Sequence, residues 1–433
     1  MISIVRKNLL VLGIAVNLGL IGYFKYTNFF LNNLNAILNT NFSLYEIILP
    51  LGISFYTFQQ IAYLVDSYRG ETKEYNLLHY TLFVSFFPQL IAGPIVHHKE
   101  IIPQFTNKYL NRLSSKNLAV GLSFFLLGLF KKVLLADSLV AGIANQTFDA
   151  AAAGSGLSFL DAWLGALAYT FQLYFDFSGY SDMAIGAARM FGIQLPINFN
   201  SPYKAVSISD FWRRWHITLS NFLRDYLYIP LGGSRKGELR RNINLIITML
   251  LGGLWHGAGW TFVVWGGLHG VYLVLNHKWR CLRKSLGHDL QKTSWWSQFL
   301  GFMMTFFAVV VAWVFFRAEN MSASFTMLEA MTGKNGISLY LNILSENLIT
   351  LIGKLMFLSI IVWCLPNSHQ LVSIYFQLNS NSNSYKYTDI VSRLKNYLLQ
   401  SNIFRGIIFG LGLFIVVKIM IKAPESEFLY FKF

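Results

Sequence analysis

Charge is scarce in this sequence. Only 13% of its 433 residues are Asp, Glu, Lys or Arg, while 54% are hydrophobic and 16% aromatic. Soluble globular chains carry about 25% charged residues. The polar surface left over is too small to cover a water-soluble body of this size, so lipid must solvate much of the chain. Cysteine is almost missing. Cys281 sits in a basic stretch and Cys364 in an apolar one, which excludes a disulfide framework, thiol-metal spacing and an indicated redox role. A cleavage site is missing too: the apolar run 9–24 is followed by Lys25, Tyr26, Thr27, Asn28 and Phe29. The run therefore reads as a retained first span behind Arg6 and Lys7, not as a cleaved leader. No stretch between apolar runs is long enough for an ordinary soluble domain, and the two halves show no internal repeat.

Of the two signs of charge, the acidic one is scarcer, with 20 Asp and Glu against 35 Lys and Arg and a net charge of +15. In a soluble chain that excess points to nucleic acid. Here the cations form short clusters between apolar runs, such as Arg235, Lys236, Arg240 and Arg241, or Lys278, Arg280, Arg283 and Lys284. Loops held on the cytoplasmic side by the positive-inside bias, in contact with membrane lipids, explain this pattern; nucleic-acid binding does not.

What is present is a series of apolar runs near the ~20 residues needed to cross a bilayer. Candidate spans are 9–24, 46–65, 78–96, 118–143, 159–190, 243–276, 297–316, 348–365 and 403–422, predicting eight to eleven crossings. The expected fold is an all-α, multi-pass bundle forming one domain over 1–433. The polar stretch 379–384 reads as an exposed loop. Residues 243–276 exceed one crossing and carry glycines at 252, 253, 257, 259, 266, 267 and 270. A break near 252–259, with His256 at it, follows from that length. The segment 207–228 is too charged to cross lipid alone. A helical wheel sets Phe211, Trp215, Leu219, Phe222 and Tyr226 on one face, and Arg213, His216, Ser220 and Arg224 on the other, predicting an interfacial or re-entrant helix.

Ionisable residues inside apolar spans are costly, about 2.5–3.5 kcal/mol for Asp, Lys or Arg on insertion scales. His256, in Leu254-Trp255-His256-Gly257, is the sharpest case. It reads equally as a histidine making one interhelical hydrogen bond or as a general base, with adjacent glycines admitting a substrate. Arg213, Ser220 and Arg224 around His216 fit either a solvated helix face or a site for the phosphates of a nucleotide-type acyl carrier. Asp176, Ser178 and Asp182 read first as polar ties between helices and second as an ion pathway. His269 is assigned to packing, and His97 and His98 to a loop.

Four segments occur in order: residues 87–95 (FPQLIAGPI), 175–184 (FDFSGYSDMA), 210–216 (DFWRRWH) and 254–257 (LWHG). Together they resemble the membrane-bound O-acyltransferases, and within them the branch of the bacterial alginate O-acetyltransferases. Residues 23–26 (YFKY) and 428–433 (FLYFKF) look like that branch as well, so the likeness spans essentially the whole chain. The resemblance implies a bowl of transmembrane and re-entrant helices around a central tunnel. It implies that His256 matches the family's catalytic histidine and His216 its second active-site histidine. It further implies acetyl-CoA as cytosolic donor, no bound cofactor or metal, a bacterial inner-membrane location, and periplasmic partner proteins that complete transfer to a polysaccharide. Members of that branch carry two or three further hydrophobic segments upstream of the match to Arg6-Lys7-Asn8, and the sequence shows none.

The expected activity is thus O-acyl transfer to an extracytoplasmic glycan, His256 acting as base and His216 assisting. A glycan or lipid transporter is the rival from another class, since broken helices and Asp176 would suit it. A non-catalytic scaffold would leave both histidines without a task. Within the family, D-alanyl and peptidoglycan acyltransferases remain open.

Overall fold

The computed structural model describes residues 2–72, 76–90, 93–106, 114–290, 294–336, 347–376, 410–415, 417–419, 421 and 428–429. All regular structure among them is helical. The chain opens with α1 (Ile2–Ile21), a π-helical turn (Gly22–Tyr26) and α2 (Thr27–Leu38), which run as one largely unburied apolar rod over Ile4–Leu38. Then come α3 (Ile53–Tyr68), α4 (Leu77–Ser85), α5 (His98–Phe105) and α6 (Ser115–Phe130). A π-helical stretch (Lys131–Ala141) joins α6 to α7 (Gly142–Ala152), and α8 (Phe159–Met190) follows. The short α9 (Ile208–Trp212) and α10 (Ile217–Leu223) precede the long pair α11 (Gly237–His256) and α12 (Trp260–Ser285). The last well-formed elements are α13 (Trp295–Arg317), α14 (Met321–Met331), α15 (Leu348–Cys364) and α16 (Ser368–Phe376).

Helix α8 is the axis of the molecule. It starts from a capping box in which Ser158 Oγ accepts from the Asp161 N–H and the Asp161 carboxylate accepts from Ser158, satisfying donors that a helix start leaves open. It then runs 32 residues, most of them buried, against α6, α7, α13, α14 and α15. Its approach to α6 is backbone to backbone. A Cβ placed on Gly179 would stand 2.7 Å from the carbonyl oxygen of Gly128, and one on Gly186 would stand 2.5 Å from that of Gly121. Small residues spaced by seven on both helices allow this contact, which dispersion holds where lipid offers no hydrophobic drive.

The carboxylates of α8 meet cations. Lys131 Nζ lies 2.6 Å from Asp182, and its neighbour Lys132 pairs with Asp176. Ser368 Oγ also donates to Asp182 at 2.6 Å, and the Leu429 N–H to Asp176 at 3.3 Å. The π-helical stretch, by altering the helical register, turns two consecutive lysines toward α8. Asp176 and Asp182 thus each bridge α8 to neighbouring segments. Ser178 Oγ is buried with no hydrogen-bond partner among the described residues.

Three expectations change. Residues 78–96 do not form one span: α4 stops at Ser85, a 3₁₀ turn carries Pro88, and residues 93–97 are not helical before α5 starts. Proline at 88 and again at 94 removes backbone donors, so a helix cannot continue there. Among the described residues, three helices are long and apolar enough to cross a membrane, over Ile4–Leu38, Ser115–Ala152 and Trp295–Arg317. The pair α15 and α16, bent by 53°, makes a fourth candidate. Long helices such as α8 fall outside that group because they spend their length on protein and on polar partners. The third change concerns 207–228 and is taken up with the site. Residues 379–384 and most of 403–422 lie outside the described residues.

Candidate active site

Helix α11 ends at His256, and after three intervening residues α12 begins at Trp260. The break is where the length and glycine content of 243–276 put it. A helix end leaves its last carbonyls without intrahelical donors. Here Tyr26 donates its hydroxyl to Leu254 O at 2.6 Å, and Lys25 donates its ammonium to Trp255 O at 2.6 Å and His256 O at 3.0 Å. A cation at that position also complements the negative end of the helix dipole. The backbone under His256 is thus held from the first π-helical turn, more than 200 residues earlier in the chain.

The imidazole of His256 is 5% exposed. It stands in an aromatic box, with ring centroids 4.9 Å from Trp255, 5.1 Å from Trp265 and 5.1 Å from Phe316. The glycine beside it does not open space for a substrate, as the sequence had indicated. A Cβ on Gly257 would come within 2.1 Å of the Phe262 ring, which fills that side.

His216 reaches the same place from another element. Residues 207–228 are not one amphipathic helix: α9 ends at Trp212, the chain turns through Arg213–Trp215, and α10 starts after His216, followed by a π-helical turn (Arg224–Tyr228). His216 adopts a left-handed backbone, φ 41° and ψ 56°, which costs a non-glycine residue about 1–3 kcal/mol. Backbone hydrogen bonds on both sides hold it there, from Asn200 N to Arg214 O and from Ile217 N to Asn198 O, each 2.9 Å. The turn takes His216 off the face it was expected to share with Arg213, Ser220 and Arg224. Its side chain is 1% exposed, with Phe177 at 4.8 Å and Trp255 at 6.4 Å between ring centroids. Trp255 therefore neighbours both histidines, and its indole stacks on Phe58 at 4.9 Å.

The other polar candidates separate from this centre. Arg213 and Arg224 are exposed, and Arg224 is paired with Asp225 at 2.7 Å. Ser220 Oγ donates back to Trp215 O at 3.4 Å. Arg213, Arg241 and Arg280 all act electrostatically on His277, and Ser209 donates to Asn276 at 2.8 Å. Arg213 consequently belongs with the basic open end of the α11–α12 hairpin, where both cation clusters lie. The packing assignment of His269 stands: it is fully buried and accepts from Trp212 Nε1 at 3.2 Å. His98 is not a loop residue. It opens α5, is buried, and meets Asp66 Oδ2 at 3.0 Å, the same oxygen that accepts from Tyr226 at 2.9 Å. His97 approaches as well, so one ligand atom each from Asp66, His97 and His98 lies within 4.8 Å of the others. Lys99 Nζ stands 3.7 Å from that oxygen, and the group ties α3, α5 and the turn after α10 together.

Sequence reasoning missed Lys25, Tyr26 and Asn198. Lys25 carried a signal, a lone cation closing an apolar run. Asn198 carried none, because it sits in a non-helical segment without periodicity.

The model of the MBOAT, membrane-bound O-acyltransferase family matches residues 66–316, more than half of the chain and inclusive of His216 and His256. The chain belongs to the membrane-bound O-acyltransferase family. It is 47% identical to the peptidoglycan O-acetyltransferase of Helicobacter pylori, over 84% of this chain and 75% of that protein. It is 46% identical to the "Probable alginate O-acetylase" of Pseudomonas aeruginosa, over 74% of this chain and 60% of that protein. The teichoic acid D-alanyltransferase of Streptococcus thermophilus is 30% identical over 61% of the chain and 68% of that protein. The chain thus spans less than two thirds of the alginate relative's length. Family membership and the helical structure together make it an integral membrane protein of all-α fold.

Proposed function

We propose that this membrane-bound O-acyltransferase passes an acetyl group from a cytosolic thioester, acetyl-CoA, toward a hydroxyl of an extracytoplasmic glycan at the bacterial inner membrane. The observation that carries the reading is the convergence of His216 and His256 on one indole, from segments that share no helix and 40 positions apart in sequence. Two buried imidazoles on one tryptophan are more than packing requires, and imidazole is the side chain best matched to proton transfer near neutral pH. In this reading His256 takes the proton of the acceptor hydroxyl while its oxygen attacks the thioester carbonyl. The C–S bond then breaks, and the proton leaves with the thiolate. His216 assists, and the aromatic box excludes water that would hydrolyse the thioester. Arg213, Ser220 and Arg224 now divide: Arg213, at the basic end, suits the phosphates of the donor, while Arg224 already has Asp225. Periplasmic partner proteins complete delivery to the polymer. No bound cofactor or metal has a part in it.

Peptidoglycan is the first acceptor to test, because the relative named for it aligns over a larger share of both chains; an alginate-like polysaccharide is the second. The test is the ester-linked acetate on each glycan class, in cells with and without the gene. Loss of acetate from one class supports the reading. Unchanged esters together with a defect in glycan export would favour the transporter rival, and loss of ester-linked D-alanine would move the donor to an aminoacyl thioester.

A further inference from the structure

Asn198 is fully buried, and every polar atom of its side chain is engaged. Its Oδ1 lies 3.0 Å from His216 Nδ1, 3.0 Å from Thr218 Oγ1 and 3.4 Å from Thr218 N. Its Nδ2 donates to Ser181 Oγ at 3.2 Å. A backbone N–H can only donate, so the end of the amide facing Thr218 is the oxygen; a flipped amide would set donor against donor. Thr218 Oγ1 already accepts from the Ile95 N–H at 3.0 Å, which leaves its single hydrogen for Asn198. The remaining neighbour of that oxygen, His216 Nδ1, must therefore carry a hydrogen.

We infer that Asn198 is a positioning residue of the active site: it holds His216 in the Nδ1–H form, so that the ring works through the lone pair of Nε2 as a proton acceptor. What the lone pair acts on rests on the acyl-transfer reading; the tautomer itself does not. The construction suits such a role. Asn198 reaches His216 twice, through its side chain and through its carbonyl on Ile217, and thereby fixes both the ring and the left-handed backbone that aims it. The line from Ile95 through Thr218 to Asn198 also links the 87–95 segment to this histidine. An amide in the third place, rather than a carboxylate, orients the ring without adding a charge to a buried site.

The test uses the full chain in nanodiscs, labelled with ¹⁵N-histidine, with His216 identified by difference against His216→Gln. Wild type should show the Nδ1–H pattern, Asn198→Asp should keep it, and Asn198→Leu should lose it in favour of Nε2–H or a mixture. In acetyl transfer, Asn198→Leu should lower kcat on the order of 10–100-fold with little change in donor KM, as when an orienting partner of a histidine is removed. Asn198→Asp should recover most of that loss and move the acid limb of the kcat–pH profile to higher pH, because a carboxylate favours the protonated ring and His216 must be neutral to assist through Nε2. An Nε2–H pattern in wild type, or an acid limb of Asn198→Asp coincident with wild type, overturns the proposal. Wild-type protein that transfers no acyl group would defeat the acyl-transfer reading alone, since the spectra still decide the tautomer. If Asn198→Leu does not fold, wild type and the isosteric Asn198→Asp carry the test between them.

Discussion

Lys25 illustrates how a single side chain can set a site from a distance. Its ammonium is held by the carbonyls of Trp255 and His256, and hydrogen bonds to charged groups contribute about 1.5–3 kcal/mol each when their partners are otherwise unsatisfied. Lys25→Met should therefore lower the thermal unfolding midpoint of the purified protein and reduce turnover, because the end of α11 frays under His256. Equal midpoints and equal turnover in the two proteins would mean that α11 holds its end without the cap. Residues differ in how far the sequence displays such roles. His256 was legible because an imidazole at a glycine break in an apolar run is hard to explain by lipid contact. His216 was legible as a residue but not in its surroundings. Asn198 was invisible, since its side-chain partners come from 181, 216 and 218 and no local pattern links them.

At the scale of elements, the sequence pattern succeeded where one periodicity ruled. The spans 297–316 and 348–365 correspond to α13 and α15 nearly end to end. It failed at 207–228, where a continuous wheel placed the arginines and His216 together. Phe211, Trp215, Leu219 and Phe222 are all buried as that wheel required, so the apolar periodicity survives a turn that reorients the polar residues. Tertiary hydrogen bonds from 198–200 impose the turn, and no helix propensity reports them. The contact of α6 with α8 offers a direct check on packing. Gly179→Ala should destabilise the protein by about 1–3 kcal/mol, the usual cost of overpacking, because its Cβ would meet backbone atoms of Gly128 and Lys132. Gly142→Ala, with nothing within 4 Å of the added carbon, should be neutral or stabilise by up to ~1 kcal/mol. Thermal unfolding of the two variants side by side measures this; equal effects would show that the α6–α8 backbone contact is not tight.

For the whole molecule, composition and the series of apolar runs pointed to a multi-pass helical membrane protein, and the ordered motifs pointed to the family that the family model shows. The number of crossings was not legible, because long buried helices such as α8 match a span in length while their polar residues face protein. Orientation follows from the α11–α12 hairpin, whose open end carries both cation clusters and should be cytoplasmic. Cys281 is exposed at that end. In a Cys364→Ser background, an impermeant thiol reagent should leave Cys281 unmodified in intact cells and modify it after lysis; labelling from outside would reverse the topology and the side from which the donor enters. The central claim, that this chain transfers an acyl group through His256, meets its most direct test in one comparison. Ester-linked acetate is released by mild alkali from the surface glycans of a deletion strain carrying either wild-type protein or His256→Ala at matched membrane levels. Wild type should restore the acetate, and His256→Ala should leave transfer lower by about 10²–10⁴-fold, the range for loss of a positioned general base. Acetylation near the wild-type level by an equally abundant His256→Ala protein would contradict it.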